Sequence, residues 1–174
     1  LQVEEAIAFI EPGVAAKATP EHWADLGCGS GTFTYALAQL LSPGSSIIAV
    51  DILPQRLNKT VGNNVSIQFQ QSDMNLESFT LPKLDGILMA NSLHFVQDKE
   101  SLIKRLDRWF APEKQFLIVE YESDIPNRWV PFPITFGKLS TLFKNLGYEA
   151  VTKVNERPSA FGGTMYAALI RSKA

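Results

Sequence analysis

Apolar residues in this chain fall into short runs whose period switches between helix and strand, with glycine, proline and asparagine marking the breaks. Val3, Ala6, Ile7 and Ile10 share one helical face, and Pro12-Gly13 stops that helix. His22 to Leu26 reads as a short strand running into Gly27-Cys28-Gly29-Ser30-Gly31. A helix follows, with Phe33, Ala36, Leu37, Leu40 and Leu41 at helical spacing, closed by Ser42-Pro43-Gly44. Ile47 to Val50 runs without a polar break, the pattern of a strand buried on both faces. A short helix is expected from Pro54, then a turn at Val61-Gly62-Asn63-Asn64. Val65, Ile67 and Phe69 alternate with polar residues in a third strand that leads to Asp73. Ile87, Leu88 and Met89 mark a fourth strand, Asp85 to Asn91. The helix from Lys99 to Phe110 places Leu102, Ile103, Leu106, Trp109 and Phe110 on its buried face. Phe116 to Tyr121 is a fifth strand, and Ser123 to Phe136 is a proline- and aromatic-rich connection. Leu139, Leu142, Phe143 and Leu146 form a last helical face ended by Gly147. Two closing strands, Tyr148 to Val154 and Thr164 to Ile170, flank a loop with Pro158, Phe161, Gly162 and Gly163.

Five strands alternating with helices imply a parallel sheet covered on both faces. The closing pair has only a short loop between its strands. A parallel crossover needs a dozen or more residues, so this pair is expected to be an antiparallel hairpin. The predicted fold is α/β: a doubly wound, three-layer, Rossmann-like sheet of seven strands, mostly parallel, with an antiparallel C-terminal hairpin. One domain is expected over residues 1–174, with an N-terminal helix and lead-in over 1–21 and the core over 22–174.

Composition adds exclusions. At 174 residues, 45% apolar and 20% charged, the chain suits one soluble core, and its net charge of −2 argues against broad phosphate neutralisation of a nucleic acid. A single cysteine, Cys28, cannot build a disulfide framework. No apolar run approaches the ~20 residues that span a bilayer, and no basic stretch precedes an apolar core at the start. No membrane association, no signal peptide, no metal site and a cytoplasmic setting are the resulting expectations.

Doubly wound sheets bind ligands at the carboxyl ends of their strands, so the residues just past each strand carry the chemistry. Four such places stand out. Gly27, Gly29 and Gly31 form G-x-G-x-G, tighter than the phosphate-gripping G-x-G-x-x-G, with Thr32 where the third glycine of that motif would fall. The plain alternative is an ordinary strand-to-helix turn. Asp51 ends the buried run 20 residues after Gly31, where a carboxylate can accept from two vicinal ribose hydroxyls; the alternative is a cap for the helix near Pro54. Asp73-Met74 can read an adenine edge and offer a polarizable surface to its ring. Its alternative is a cap for a helix over Asn75 to Ser78. Asn91-Ser92-Leu93-His94-Phe95 sets polar groups over the same crevice.

Together, Asp25 to Gly31, Ala49-Val50-Asp51-Ile52, Gln71-Ser72-Asp73-Met74 and Leu84 to Phe95 resemble the class I S-adenosylmethionine-dependent methyltransferases, in particular the small-molecule enzymes of the ubiquinone-biosynthesis kind. The resemblance covers about His22 to Arg171. It implies S-adenosyl-L-methionine as cofactor, S-adenosyl-L-homocysteine as product, and in-line transfer of a methyl group to a small-molecule acceptor. It also implies roles. The Gly27 to Gly31 loop, with Cys28 and Gly29, would pass under the methionine part. The carbonyls of Gly27 and Asn91 would accept from its amino group, and Asp25 would favour that cationic end. Asp51 would hold both ribose hydroxyls, Ile52 would lie against the adenine, and Asp73 and the Met74 N–H would bond its edge. The Asn/Asp-Pro-Pro-aromatic signature of nucleobase and glutamine methylation is absent, since Asn91-Ser92-Leu93-His94 stands there. The amino-terminal segment is short, so the acceptor pocket is expected to be open or closed by a partner subunit, a homodimer being one way.

His94 is the candidate general base, since its ordinary pKa of about 6.5 suits proton removal near neutrality; the alternative is a histidine that only shapes the pocket. Tyr121, Trp129 and Phe132 are candidate acceptor contacts, the last two on a proline-stiffened loop that would act as an apolar lid or else pack on its own core. Two competing functions remain at this level. One is a catalytically silent methyltransferase-fold subunit that keeps the cofactor. The other is a nicotinamide-dependent oxidoreductase, which the missing third glycine and the reversed hairpin oppose.

Overall fold

Two unbroken apolar runs of the chain, Ile47 to Val50 and Ile87 to Ala90, become the two strands beside the first, at the middle of one eight-stranded sheet. The computed structural model describes residues 1–15 and 17–172; Ala16 and the last two residues of the expected 1–174 domain lie outside the described residues. The strands are β1 (His22–Leu26), β2 (Ser46–Asp51), β3 (Thr60–Val61), β4 (Val65–Gln71), β5 (Gly86–Ala90), β6 (Gln115–Tyr121), β7 (Ala150–Pro158) and β8 (Thr164–Arg171). They lie side by side in the order β3-β4-β2-β1-β5-β6-β8-β7. The five strands from β4 to β6 in that order run parallel, and β8 pairs antiparallel with both β6 and β7. The doubly wound α/β fold with a reversed C-terminal hairpin is therefore as expected.

Strand order reverses between β1 and β5, and this is the switch point at which such sheets open a crevice. Strand alternation divides the core into two layers. Phe116 and Ile118 of β6 face one layer, with Leu102, Ile103 and Leu106 of α3 (Lys99–Leu106) and Leu139 and Phe143 of α4 (Phe136–Asn145). Leu117 and Val119 face the other, with Ala6, Phe9 and Ile10 of α1 (Val3–Ile10) and Phe33, Ala36 and Leu37 of α2 (Thr32–Leu40). Asp98 caps α3 by accepting from the Ser101 N–H at 3.0 Å, and Thr135 caps α4 by accepting from the Lys138 N–H at 3.3 Å.

Three local expectations are corrected. The sheet has eight strands rather than seven, because Thr60–Val61 pairs antiparallel with the start of β4 through the predicted Gly62-Asn63-Asn64 turn. The short helix from Pro54 does not form. Leu57 packs into the core instead, the Asn58 N–H donates to the Tyr35 hydroxyl at 3.0 Å, and the Ile67 N–H donates to the Lys59 carbonyl at 2.8 Å. A segment that short cannot recover the cost of helix nucleation when its backbone groups are satisfied elsewhere. Asn75 to Ser78 is likewise a chain of turns: the Asp73 side chain accepts from the Asn75 N–H at 2.8 Å, and Phe79 donates to the Leu76 carbonyl at 3.1 Å.

Gly86 lies beside Trp23 in the β1–β5 ladder, and a Cβ there would sit 2.6 Å from the buried indole. Gly86→Ala is expected to lower unfolding stability by about 1–3 kcal/mol through overpacking. Urea titration should show a lower midpoint with an unchanged slope.

Candidate active site

The switch point is built by two bends that touch. Past β1 the backbone enters the left-handed region at Gly27 (φ 81°), Gly29 (φ 50°) and Gly31 (φ 90°). The three glycines have different reasons. A Cβ on Gly27 would lie 2.4 Å from the Cβ of Ser92, so the bend after β1 and the bend after β5 meet with no room for a side chain. Ser92 fastens the contact by donating its hydroxyl to the Leu26 carbonyl at 2.5 Å. At Gly29 a Cβ would meet no atom within 4 Å, because that side opens on a cavity. Gly31 caps α2, with Leu57 and Tyr35 against it, and does not line the cavity.

The cavity holds about 670 Å3. Asp25, Gly27, Cys28, Gly29, Asp51, Ile52, Asp73, Met74 and Asn91 all line it, so nine of the ten residues proposed for cofactor contact converge there. Asp51 accepts from the Gly29 N–H at 2.8 Å and the Leu53 N–H at 2.9 Å, which ties the glycine bend to the end of β2. A carboxylate has about four lone-pair sites, so it retains capacity for a ligand. Asp73 accepts from Asn75, and Arg105 donates to the carbonyls of Met74 and Asn75 at 3.4 and 3.2 Å, steadying that turn. Asn91 adopts φ 56°, unusual for a residue other than glycine, and its side-chain oxygen is buried without a partner among the described residues. Buried polar groups are normally satisfied, so this atom marks a place for a ligand donor.

Burial pushes the Asp25 carboxyl up to about 7; the Thr34 hydroxyl, donating at 2.6 Å, opposes that rise and the Asp51 charge adds to it. Burial, reinforced by the Asp25 and Asp51 charges, pushes the Cys28 thiol up to about 12. It is a neutral packing group at ordinary pH, not a nucleophile.

A second cavity of about 710 Å3 shares Asn91 and Phe95 with the first. His94, Tyr121 and Trp129 line it, and Phe132 does not. Lys99 accounts for Phe132's displacement. Its ammonium donates to the carbonyls of Val96 and Phe132, each at 2.7 Å, and lies 5.8 Å from the Phe132 ring centre, while the Phe132 N–H donates to the His94 carbonyl. The connection from Ser123 to Phe136 is thus neither wholly lid nor wholly core: Val130 and Ile134 are buried, Trp129 is exposed.

His94 is itself buried and held by Glu120. Its Nδ1 lies 2.8 Å from one carboxylate oxygen, and its backbone N–H donates to the other at 3.0 Å. Glu120 shares the face of β6 that carries Phe116 and Ile118, and Tyr121 lies on the opposite face, as strand alternation requires, while Glu122 follows the end of the strand; Tyr121 and Glu122 both line the second cavity. The sequence offered no signal for the His94–Glu120 pair, whose partners are 26 residues apart. Phe161, on the turn before β8, also lines this cavity; an apolar residue between Ser159 and Gly162-Gly163 was its only trace. His22 sits at the far end of β1, its Nδ1 2.7 Å from the Ser46 hydroxyl, a framework contact.

Fold and crevice define a doubly wound domain with a cavity at its switch point. The model of the methyltransferase-domain family matches residues 21–159, and the chain belongs to that family, the class I assignment read from its motifs. Among curated proteins it is 25% identical over 101 residues to phosphoethanolamine N-methyltransferase 1 of Zea mays, covering 56% of this chain and 20% of that protein. It is 29% identical over 102 residues to demethylmenaquinone methyltransferase of Lactobacillus johnsonii, covering 55% of this chain and 42% of that one. The chain thus aligns with less than half the length of these relatives. In fold it is similar to the 1,6-didemethyltoxoflavin-N1-methyltransferase of Burkholderia thailandensis, with a TM-score of 0.70 at 22% identity over 99% of this chain and 78% of that one.

Asp25 supplies a pH test. In the folded chain it keeps its proton up to about pH 7, whereas an ordinary Asp releases it near 3.8. The folded state binds more protons across that interval, so this group's contribution makes stability fall as pH rises through it. Asp25→Asn should remove that decline, giving a flatter stability profile than wild type between about pH 4 and 7 in urea titrations. Parallel profiles for the two proteins would contradict the raised value.

Proposed function

We propose that the chain transfers a methyl group from S-adenosyl-L-methionine, held in the first cavity, to a small-molecule acceptor held in the second. The observation that carries this reading is that the two cavities adjoin at Asn91 and Phe95. The first cavity suits the cofactor on three counts: open space over Gly29, an unpartnered buried oxygen on Asn91, and two carboxylates, Asp25 and Asp51, along one wall. Asp51 would take the ribose hydroxyls, Asp73 and the Met74 N–H the adenine edge, and Ile52 the adenine face. The carbonyls of Gly27 and Asn91 would accept from the ammonium, and Asp25, protonated up to about pH 7 in the free chain, would favour it once the nearby cation promotes its ionisation. When bound, the cofactor supplies a methyl group made electrophilic by its sulfonium.

The chain's share is position and proton. Holding the acceptor's reacting atom at the Asn91–Phe95 junction, away from water, can lower the barrier by roughly 7–11 kcal/mol. Glu120 holds Nδ1 of His94 as the protonated nitrogen, which leaves Nε2 as the acceptor for a proton from an O–H or N–H in the second cavity. The methyl acceptors named for the relatives are all small molecules, which supports that class of acceptor here.

Calorimetry is expected to show micromolar binding of S-adenosylmethionine and S-adenosylhomocysteine and none of NAD. Asp51→Ala should weaken both by at least about tenfold, the cost of a charge-assisted hydrogen bond; unchanged affinity would remove its ribose role. With an acceptor that the wild type methylates, His94→Ala should lower kcat by about 10²–10⁴-fold while leaving S-adenosylhomocysteine binding intact. Undiminished turnover would eliminate it as the base.

A further inference from the structure

The second cavity is walled unlike the first. Phe95, Ile125, Trp129 and Phe161 surround it with 56%, 74%, 69% and 90% of their surface exposed. Scattered exposed apolar residues are ordinary, but four at one mouth, rimming a cavity, are the mark of an apolar ligand. Their backbones are held rather than loose. Asn127 accepts from the Trp129 and Val130 N–H groups at 2.8 and 2.9 Å, and Ser159 accepts from the Phe161 N–H at 3.1 Å.

Charge points the same way. Among the described residues, neither lysine nor arginine lines this cavity. Lys99 is taken up by two carbonyls and Lys153 by Glu122 and Glu156, and Arg128 lies over the Trp129 ring at 4.5 Å. The carboxylate that does line it, Glu122, accepts from the Phe136 N–H at 3.0 Å and from Lys153 at 3.3 Å. A phosphate or carboxylate on the acceptor would enter beside that carboxylate, where hydroxyl, amide and imidazole groups line the cavity but, among the described residues, no lysine or arginine does to offset the lost hydration of a full charge.

We propose that the second cavity selects an uncharged aromatic acceptor bearing an O–H or N–H, and rejects acceptors that carry phosphate or carboxylate. The ring would lie among Trp129, Phe161 and Phe95, where offset or edge contacts between aromatic rings are favourable, with its polar hydrogen toward His94. This inference rests on the reading of the second cavity as the acceptor site.

The test uses the full chain saturated with S-adenosylhomocysteine and the neutral fluorophore N-phenylnaphthylamine, whose emission rises in apolar sites. Saturable binding is expected, and naphthol should displace the probe at least tenfold more effectively than naphthyl phosphate, which carries the same ring. Trp129→Ser and Phe161→Ser should each weaken probe binding about fivefold or more, and Leu76→Ser, an exposed leucine outside both cavities, should not. Equal or better competition by naphthyl phosphate overturns the proposal, as does a probe affinity indifferent to Trp129 and Phe161. Calorimetry on the same protein separates the two levels. Loss of S-adenosylhomocysteine binding would sink the methyltransferase reading itself, whereas intact binding with the probe rejected would sink only the acceptor class.

Discussion

The close approach of Gly27 to Ser92 is the constraint on which the site depends. With no Cβ on Gly27, the bends after β1 and β5 come into contact, and the Ser92 hydroxyl locks them through the Leu26 carbonyl. The strand order reverses between those strands, so the contact forms the floor of the crevice. One side of that floor carries the glycine bend tied to Asp51; the other carries Asn91 and, two residues past Ser92, His94. A larger residue at Gly27 would part the bends and separate the two cavities' shared wall.

Two buried carboxylates flank this floor and are handled differently. Asp25 has one hydroxyl partner, from Thr34, and burial keeps its proton on. Glu120 receives both the backbone N–H and the Nδ1 of His94, and a longer hydrogen bond at 3.4 Å from the Tyr121 N–H, so both its oxygens are satisfied. Burying a carboxylate is costly unless it is well partnered. Neither position is one that hydrophobic packing alone would select, and both border a cavity or hold a residue that does. The chemistry is thus set by polar groups inserted into an otherwise apolar framework.

Much of the first cavity was legible because its residues follow strands directly in sequence. Asp51 and Asp73 end or follow apolar runs, and Asn91 follows Ile87-Leu88-Met89-Ala90, so locating the strands located the crevice. Gly31 had the same local signal but serves the α2 cap, since a left-handed residue is needed there as well. The second cavity was read only in part. Tyr121 and Trp129 line it, but Phe132 is held aside by Lys99, and Phe161 comes from a hairpin turn with no distinguishing pattern.

What the linear pattern determined by itself were the periodicities: which runs are strands, which faces of helices are apolar, and where glycine must replace a side-chain-bearing residue. Those are local properties, set by steric limits on each residue and by its near neighbours. Tertiary structure decided what depends on distant segments meeting. It turned the stretch from Pro54 into a loop leading to an added edge strand, because Leu57 and the Lys59 carbonyl found partners on α2 and β4. It paired His94 with Glu120, orphaned the Asn91 oxygen, and gathered four apolar side chains from three loops around one opening. A residue's type limits which contacts it can make, but only the folded chain brings the second partner within reach.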